Sequence, residues 1–462
     1  MGTKENSKHR RSTITFEDIC RQYSAPILTY YVWWILQEAE KRQIKRLYFL
    51  ARDGLILKEI AEELCEMFSL QVTCCYLYVS RASLRMPTYH FIEEEEAYKL
   101  LLGYSYQVTP VSMLKRALLP EDVINNILHE IDCPNAKRSA LLTRIETEEL
   151  AKRIRECPTY HNAVWETSRH AYPIIIEYFR QEGLFDENTV VIVDSGWNGS
   201  MQRSLRQLLD KAGCKTPITG FYFGLFNEPV HDTSSEYLTW YFSPQSKLFN
   251  KVKFSNNLFE CMCAAPHGTT LGYEYRGDIV FPIFGKSPSK EQDDFVRKQI
   301  QLVTEAVPTV VEGRMLGDFP AVAYRETQKL IRELMYHPTR EIVAAFQAID
   351  FCDDIYESYY SALANDLQIK HLKDYTVLAR VRGALKRTDK ASDDIPWPYG
   401  VAALLPPYKA AWYRFNMLIW EYLKVSPARQ AYNKIKRAFV FDFAHGEKNM
   451  VLDDRERKFG GK

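Results

Sequence analysis

The chain has 462 residues, 46% of them apolar and 26% charged, with a formal net charge of +1. That length exceeds one ordinary core, so two or three domains or subdomains of a water-soluble globular protein are expected. The balanced charge excludes the broad basic field of a nucleic-acid binder, and apolar runs such as Tyr30–Leu36 are too short for the ~20 residues that cross a bilayer.

In chain order, residues 1–14 are polar and basic and are expected to be disordered, with no apolar signal segment. Ten scattered cysteines lack paired metal spacing, which fits reduced thiols and a cytoplasmic location. Residues 15–90 read as the first part of an α/β domain. Phe16–Arg42 repeats apolar residues every three or four positions through Ile27, Tyr31, Trp34 and Ile35, the spacing of a helix. Arg46–Leu50 is a short buried strand, Ala51–Gly54 a turn, Leu55–Phe68 a helix and Val72–Val79 a second strand, which together make a βαβ unit. Residues 91–185 are helical and charged, a large insertion in which Glu93–Glu96 reads as a solvated helix face.

Residues 186–285 return to the α/β pattern, with a strand at Val190–Val193, a helical pattern over Arg203–Asp210 and a strand at Ile218–Leu225. Residues 286–462 are largely helical and rich in aromatic residues, with a Pro/Trp turn or linker at Thr388–Tyr399. From Tyr408 to Phe443, aromatic rings alternate with Lys and Arg, as in an amphipathic helix lying on a membrane surface or in a helix packed on a core. The expected fold class is α/β, a mainly parallel doubly wound sheet with a large helical insertion and a helical C-terminal region. Ligands of such sheets bind beyond the carboxyl ends of the strands.

Four segments carry the chemistry. The first turn, Leu50-Ala-Arg-Asp-Gly54, joins a guanidinium (Arg52), a carboxylate (Asp53) and a glycine (Gly54) that lets backbone amides approach a ligand. Alternatively, Asp53 simply caps the following helix. Arg81 and Arg85 leave the second strand four residues apart and are placed to meet the same anion. Around Val190–Gln202, VVIVDSGWNGSMQ, an apolar strand ends in Asp194 and a small-residue loop before a helix, which suits a phosphate on backbone N–H groups with hydroxyls on the carboxylate. In Leu258–Tyr273, Glu260 sits in an apolar run where an unpaired carboxylate is costly, and His267 occupies a loop.

These turns resemble the phosphoribosyltransferase arrangement, in which the first loop binds diphosphate and the second holds the 5-phosphate of phosphoribosyl diphosphate. On that resemblance Asp194 matches the family's leading acid, and Asn198, Gly199, Ser200, Met201 and Gln202 take the place of the phosphate cradle. Ser195 stands where the family usually has a second acid. FLARDG, YLYVSR, VDSGWNGSMQ and APHGTTLGY together resemble a bacterial polysaccharide-assembly family of ribofuranosyltransferases, often fused to a haloacid dehalogenase-like phosphatase. The resemblance implies transfer of 5-phosphoribosyl to a sugar hydroxyl of a glycan acceptor, lipid-linked at the inner face of the cytoplasmic membrane. A separate phosphatase would later remove the 5-phosphate.

It also implies Mg²⁺ held by Asp194 and Asp53 directly or through water or substrate, and diphosphate bound by Arg52 and Arg81, with Gly54 and Arg85 also in the substrate-binding set. Ser195 and His267 join the substrate-binding set. Glu260 is the expected general base, with Asp53 second. Two other readings stand beside it: a phosphatase or phosphotransferase using Asp194 as nucleophile, although Gly196 occupies the place of its second acid, and a non-catalytic membrane-associated scaffold.

Overall fold

The computed structural model describes residues 14–103, 108–229, 234–286, 289–346, 350–351, 361–386 and 395–425. Residues 1–13 of the basic N-terminal segment, residues 388–394 of the Pro/Trp turn and the tail beyond 425 lie outside the described residues.

The principal elements, in chain order, begin with helix α1 (Ala25–Lys41), strand β1 (Arg46–Leu50), α2 (Gly54–Phe68), β2 (Thr73–Leu77) and the short α3 (Arg81–Arg85). After the insertion come α4 (Pro158–Gln181), β3 (Val190–Trp197), α5 (Ser200–Lys211), β4 (Ile218–Leu225) and β5 (Ser235–Phe242). Next are α6 (Leu248–Val252), α7 (Asn256–Met262), an antiparallel hairpin of β6 (Thr270–Arg276) and β7 (Ile279–Phe284), then α8 (Lys290–Val311), α9 (Ala323–Ile331) and α10 (Pro407–Val425). No helix among the described residues is long and apolar enough to cross a membrane.

Five strands form one parallel sheet in the order β2-β1-β3-β4-β5. The order reverses between β1 and β3, the switch point at which crevices open beyond the strand ends of doubly wound sheets. Alternate residues of each central strand serve opposite cores. Leu47, Phe49, Val191, Val193, Phe221 and Phe223 face the layer holding α1, α2, α7 and α8. Tyr48, Leu50, Val190, Ile192 and Ile218 face α4 and α5. Burial on both faces explains why these strands read as unbroken apolar runs.

Two features differ from the sequence expectation. β5 was not foreseen, because it is an edge strand whose residues are mostly half-exposed and so lacks an apolar run. The β6–β7 hairpin was also not foreseen; Tyr273 seats it on the sheet by donating to the Tyr78 carbonyl at 2.7 Å.

The insertion has its own core, from Met86 to Val164, and α4 joins it to the sheet: Tyr160 and Val164 belong to the insertion core, Ile175 and Phe179 to the sheet core. The C-terminal helices share one continuous core with α1 and α2, through residues such as Val303, Leu334, Trp397 and Val401.

Candidate functional site

The loops after β1 and β3 meet at the switch point. Asp53 occupies the N-cap position of α2, yet its side chain makes no capping bond. The Ser195 hydroxyl donates to Asp53 Oδ2 instead, linking the turn after β1 to the neighbouring strand β3. The capping alternative therefore does not account for Asp53.

Gly54 is buried against β1. A Cβ there would lie 2.7 Å from the Phe49 carbonyl carbon, so the missing side chain is explained by strand packing rather than by a ligand. A cis peptide joins Ala51 and Arg52.

Asp194 is 9% exposed at the end of β3. Burial pushes its carboxyl up to about 7; the N–H groups of Ser195 and Gly196 and the charge of Arg81 work against that rise, while Glu260 adds to it. Burial likewise raises Asp53 above the usual carboxylate range, opposed by the Ser195 hydroxyl and reinforced by Asp194, with Arg52 and Arg81 pulling it down. These mutual effects bring two acids, two arginines and Glu260 into one electrostatic neighbourhood.

Glu260, on α7, accepts from Trp197 Nε1 at 2.7 Å. The Trp197 ring is held at 5.1 Å from Phe254 and 5.6 Å from Phe259, centroid to centroid, so the donor that orients the carboxylate is itself fixed by packing. His267 donates from Nδ1 to the Gly268 carbonyl at 2.9 Å, which leaves Nε2 to accept from the Tyr76 hydroxyl at 2.7 Å. Tyr76 lies close enough to Asp53 and Arg52 to sense both charges, so His267 borders the crevice through Tyr76.

The last two residues of β3, Gly196 (φ 115°) and Trp197 (φ 76°), and Gly199 (φ 63°) just beyond it have left-handed backbone. A Cβ on Gly196 would lie 2.3 Å from the Gly224 carbonyl oxygen, so only glycine fits beside β4. Gly199 opens α5 with no side-chain cap, and no acid stands in the first turn, so the N–H groups of Ser200, Met201 and Gln202 have no intrahelical acceptor.

The Gln202 side chain does not join that cradle. It is fully buried, donating to the Ile218 and Glu236 carbonyls at 3.3 and 3.1 Å and accepting from the Tyr222 hydroxyl at 2.7 Å. Only its backbone amide remains for a ligand. Asn198 is exposed and accepts from Asn227 at 2.7 Å.

Helix α3 packs against α5 and brings basic groups to this end. Ser80 caps α3 and donates to the Thr270 carbonyl at 2.5 Å, and Arg81 is the first residue of the helix. Arg85 is half-buried; burial and the charges of Arg81 and Arg203 lower its pKa. A guanidinium surrounded by like charges next to an uncapped helix N-terminus suits a phosphate.

Tyr31 was not singled out in the sequence. Its hydroxyl is shared between the Asp194 carbonyl at 2.8 Å and the Phe221 carbonyl at 3.0 Å, and it ties α1 to the ends of β3 and β4. Tyr31 looks like any core residue of an apolar helix, so no signal in the sequence marks it.

Asp53 and Asp194 offer hard oxygen donors, which suit a divalent cation that keeps its waters and shares substrate oxygens. Among the described residues, no group of three or more His, Cys, Asp or Glu is arranged to hold an ion with side chains alone. No protein-family model and no curated protein matches the chain.

Proposed function

We propose that the protein is a glycosyltransferase that moves 5-phosphoribosyl from phosphoribosyl diphosphate to a sugar hydroxyl of a growing glycan. One observation carries the reading: Asp53, in the turn after β1, accepts a hydrogen bond from Ser195, the neighbour of the buried Asp194 in β3, at the sheet's switch point, near an uncapped helix N-terminus and arginines. Such a crevice suits a pentose charged at both ends.

In the proposed reaction the acceptor oxygen bonds to C1 of the ribose as the bond from C1 to the diphosphate oxygen breaks. Attack opposite the leaving group turns an α donor into a β-ribofuranoside. Arg52 and Arg81 stabilise the charge that builds on the diphosphate. The N-terminus of α5 and Arg85 anchor the 5-phosphate, and Asp194 accepts from the ribose hydroxyls. Glu260, oriented by Trp197, takes the acceptor's proton. Asp53 and Asp194 would hold a Mg²⁺ ion that arrives with the diphosphate and neutralises part of its charge.

The sugar 5-phosphate is then removed by a separate phosphatase. Exposed Tyr408, Trp412, Phe415 and Tyr422 on α10 support a peripheral contact with the membrane that carries a lipid-linked acceptor, at the inner face of the cytoplasmic membrane.

Incubation with phosphoribosyl diphosphate, Mg²⁺ and a panel of glycan acceptors tests the proposal. Diphosphate release and a mass gain of one phosphoribosyl unit are expected, and both should be lost in Asp194→Asn. Absence of donor binding by calorimetry, together with absence of product across the panel, refutes it.

A further inference from the structure

One cavity shares no lining residue with the candidate site at the strand ends. It has a volume of about 1030 Å³ and lies between β5, α6, α9 and the turn that continues α9 to His337. That volume is at the upper end of small-molecule sites, which run from ~300 to ~1,000 Å³. One aromatic layer joins the two places, with the Phe254 ring 5.1 Å from Trp197 and 6.1 Å from Tyr241 of the cavity wall.

The lining is strongly basic. Lys247, Lys253, Lys329 and Arg332 border the cavity against a single acid, Glu333. Among the described residues, none of these four cations makes an ion pair. Elsewhere the chain pairs such groups, as in Arg42 with Glu236 and Arg297 with Asp293.

Lys253 lies over the Phe249 ring, 3.0 Å from its centroid, instead of on a carboxylate. Burial and Arg332 lower its pKa. His337 is pushed down to about 4 by burial and by Arg414, Arg332 and Lys253. Arg414 adds a buried Nε with no partner among the described residues. Positive charge gathered in this way repels itself, and a bound anion relieves it.

The floor is polar and already ordered. Asn250 Nδ2 donates to the Tyr324 hydroxyl at 2.9 Å, and that hydroxyl donates to the Tyr241 carbonyl at 2.9 Å. Gln328 Nε2 donates to Asn250 Oδ1 at 3.2 Å. The cavity is far larger than a lone phosphate needs, and Phe249 and Tyr324 put aromatic surface in its wall.

We infer that this cavity binds a saccharide-sized polyanion, a sugar segment carrying phosphate, sulfate or carboxylate groups. The inference does not depend on what occupies the strand-end crevice.

Calorimetry on the full chain tests it with three probes: a heparin-derived sulfated tetrasaccharide, inorganic diphosphate and uncharged maltotetraose. The sulfated tetrasaccharide should bind, more weakly as salt rises, while maltotetraose should not bind and diphosphate should bind at least about tenfold more weakly. Lys329→Ala/Arg332→Ala, at two exposed positions, should weaken the tetrasaccharide at least about tenfold, and Arg52→Ala should leave it unchanged. If that double variant melts early, Lys247→Ala/Lys329→Ala at exposed lysines carries the same test.

The inference is overturned by any of four results: no tetrasaccharide binding at millimolar concentration, full binding by the basic-site variants, loss of binding on Arg52→Ala alone, or equal binding of maltotetraose. Equal binding of diphosphate would refute the saccharide part.

Discussion

The Ser195 hydroxyl donates to Asp53 Oδ2, so the residue standing where a second consecutive acid is usual in the resembled family instead holds an acid from a neighbouring loop. The second carboxylate of the crevice is thus supplied through space, from the turn after β1. Asp53 arrives on the turn after β1 and Asp194 on β3, and the Ser195 bond ties that turn to the strand.

Ser195→Ala removes the group that holds Asp53 down against its burial. Asp53 then stays protonated to higher pH, and the midpoint for donor binding in the presence of Mg²⁺ should move upward by a fraction of a pH unit or more. Calorimetric titrations of donor at pH 6 to 9 measure it. An unshifted profile would mean that Asp53 does not help to bind the donor.

Asp194 makes a prediction of opposite sign for stability. Its folded pKa of about 7 lies above the ordinary carboxylate value of 3.8, so the folded state binds the proton more tightly than the unfolded chain does. Stability contributed by that proton is present below about pH 4 and lost as pH rises towards 7. Asp194→Asn should therefore be indistinguishable in stability from the native chain at pH 4 and more stable at pH 8, by on the order of 2–4 kcal/mol. Denaturant melts at the two pH values decide it. The same substitution should abolish donor binding, because an acid that costs stability here is retained for its charge.

Much of this arrangement was visible in the sequence. The three inner strands, β1, β3 and β4, announce themselves as apolar runs because both faces of the sheet are covered there, and chemistry-bearing residues follow directly from the apolar runs of β1 and β3. What was hidden depends on distant residues. Nothing in the pattern around Asp53 says that its partner is Ser195, 142 residues away. Gln202 has the right place for a cradle, and only the fold reveals that its amide clamps β4 and β5. Trp197 stood inside the quoted motif, but its role requires knowing that α7 brings Glu260 to its indole N–H.

Gln202→Leu separates these roles. It leaves the Tyr222 hydroxyl buried without an acceptor and removes two bonds to backbone carbonyls, a loss of about 1–3 kcal/mol for each group left unsatisfied. Thermal melting should fall by several degrees while donor affinity in the surviving fold stays within about twofold. A large affinity loss with unchanged stability would return the side chain to the cradle.

Gly196→Ala should damage both properties. The backbone there has φ 115°, and the added methyl would meet the Gly224 carbonyl, so β3 and β4 must separate locally. A cost of at least about 1–3 kcal/mol is expected from the backbone strain alone. Displacement of the turn should also weaken donor binding, measured by calorimetry beside a melt.

The last prediction separates binding from chemistry at Glu260. Trp197→Phe keeps an aromatic ring against Phe254 and Phe259 but deletes the N–H that Glu260 accepts. If Glu260 takes the acceptor's proton, this change leaves donor Kd near its native value and lowers kcat, because the carboxylate loses its orientation. Glu260→Gln keeps the size of the side chain and removes its basicity, so kcat should fall further, by roughly 10²–10⁴-fold for a general base. Single-turnover rates with saturating donor, read beside calorimetric donor affinities, distinguish the steps. A native rate in Glu260→Gln moves the role to Asp53. A Kd that collapses in Trp197→Phe makes Trp197 a support for the donor pocket instead.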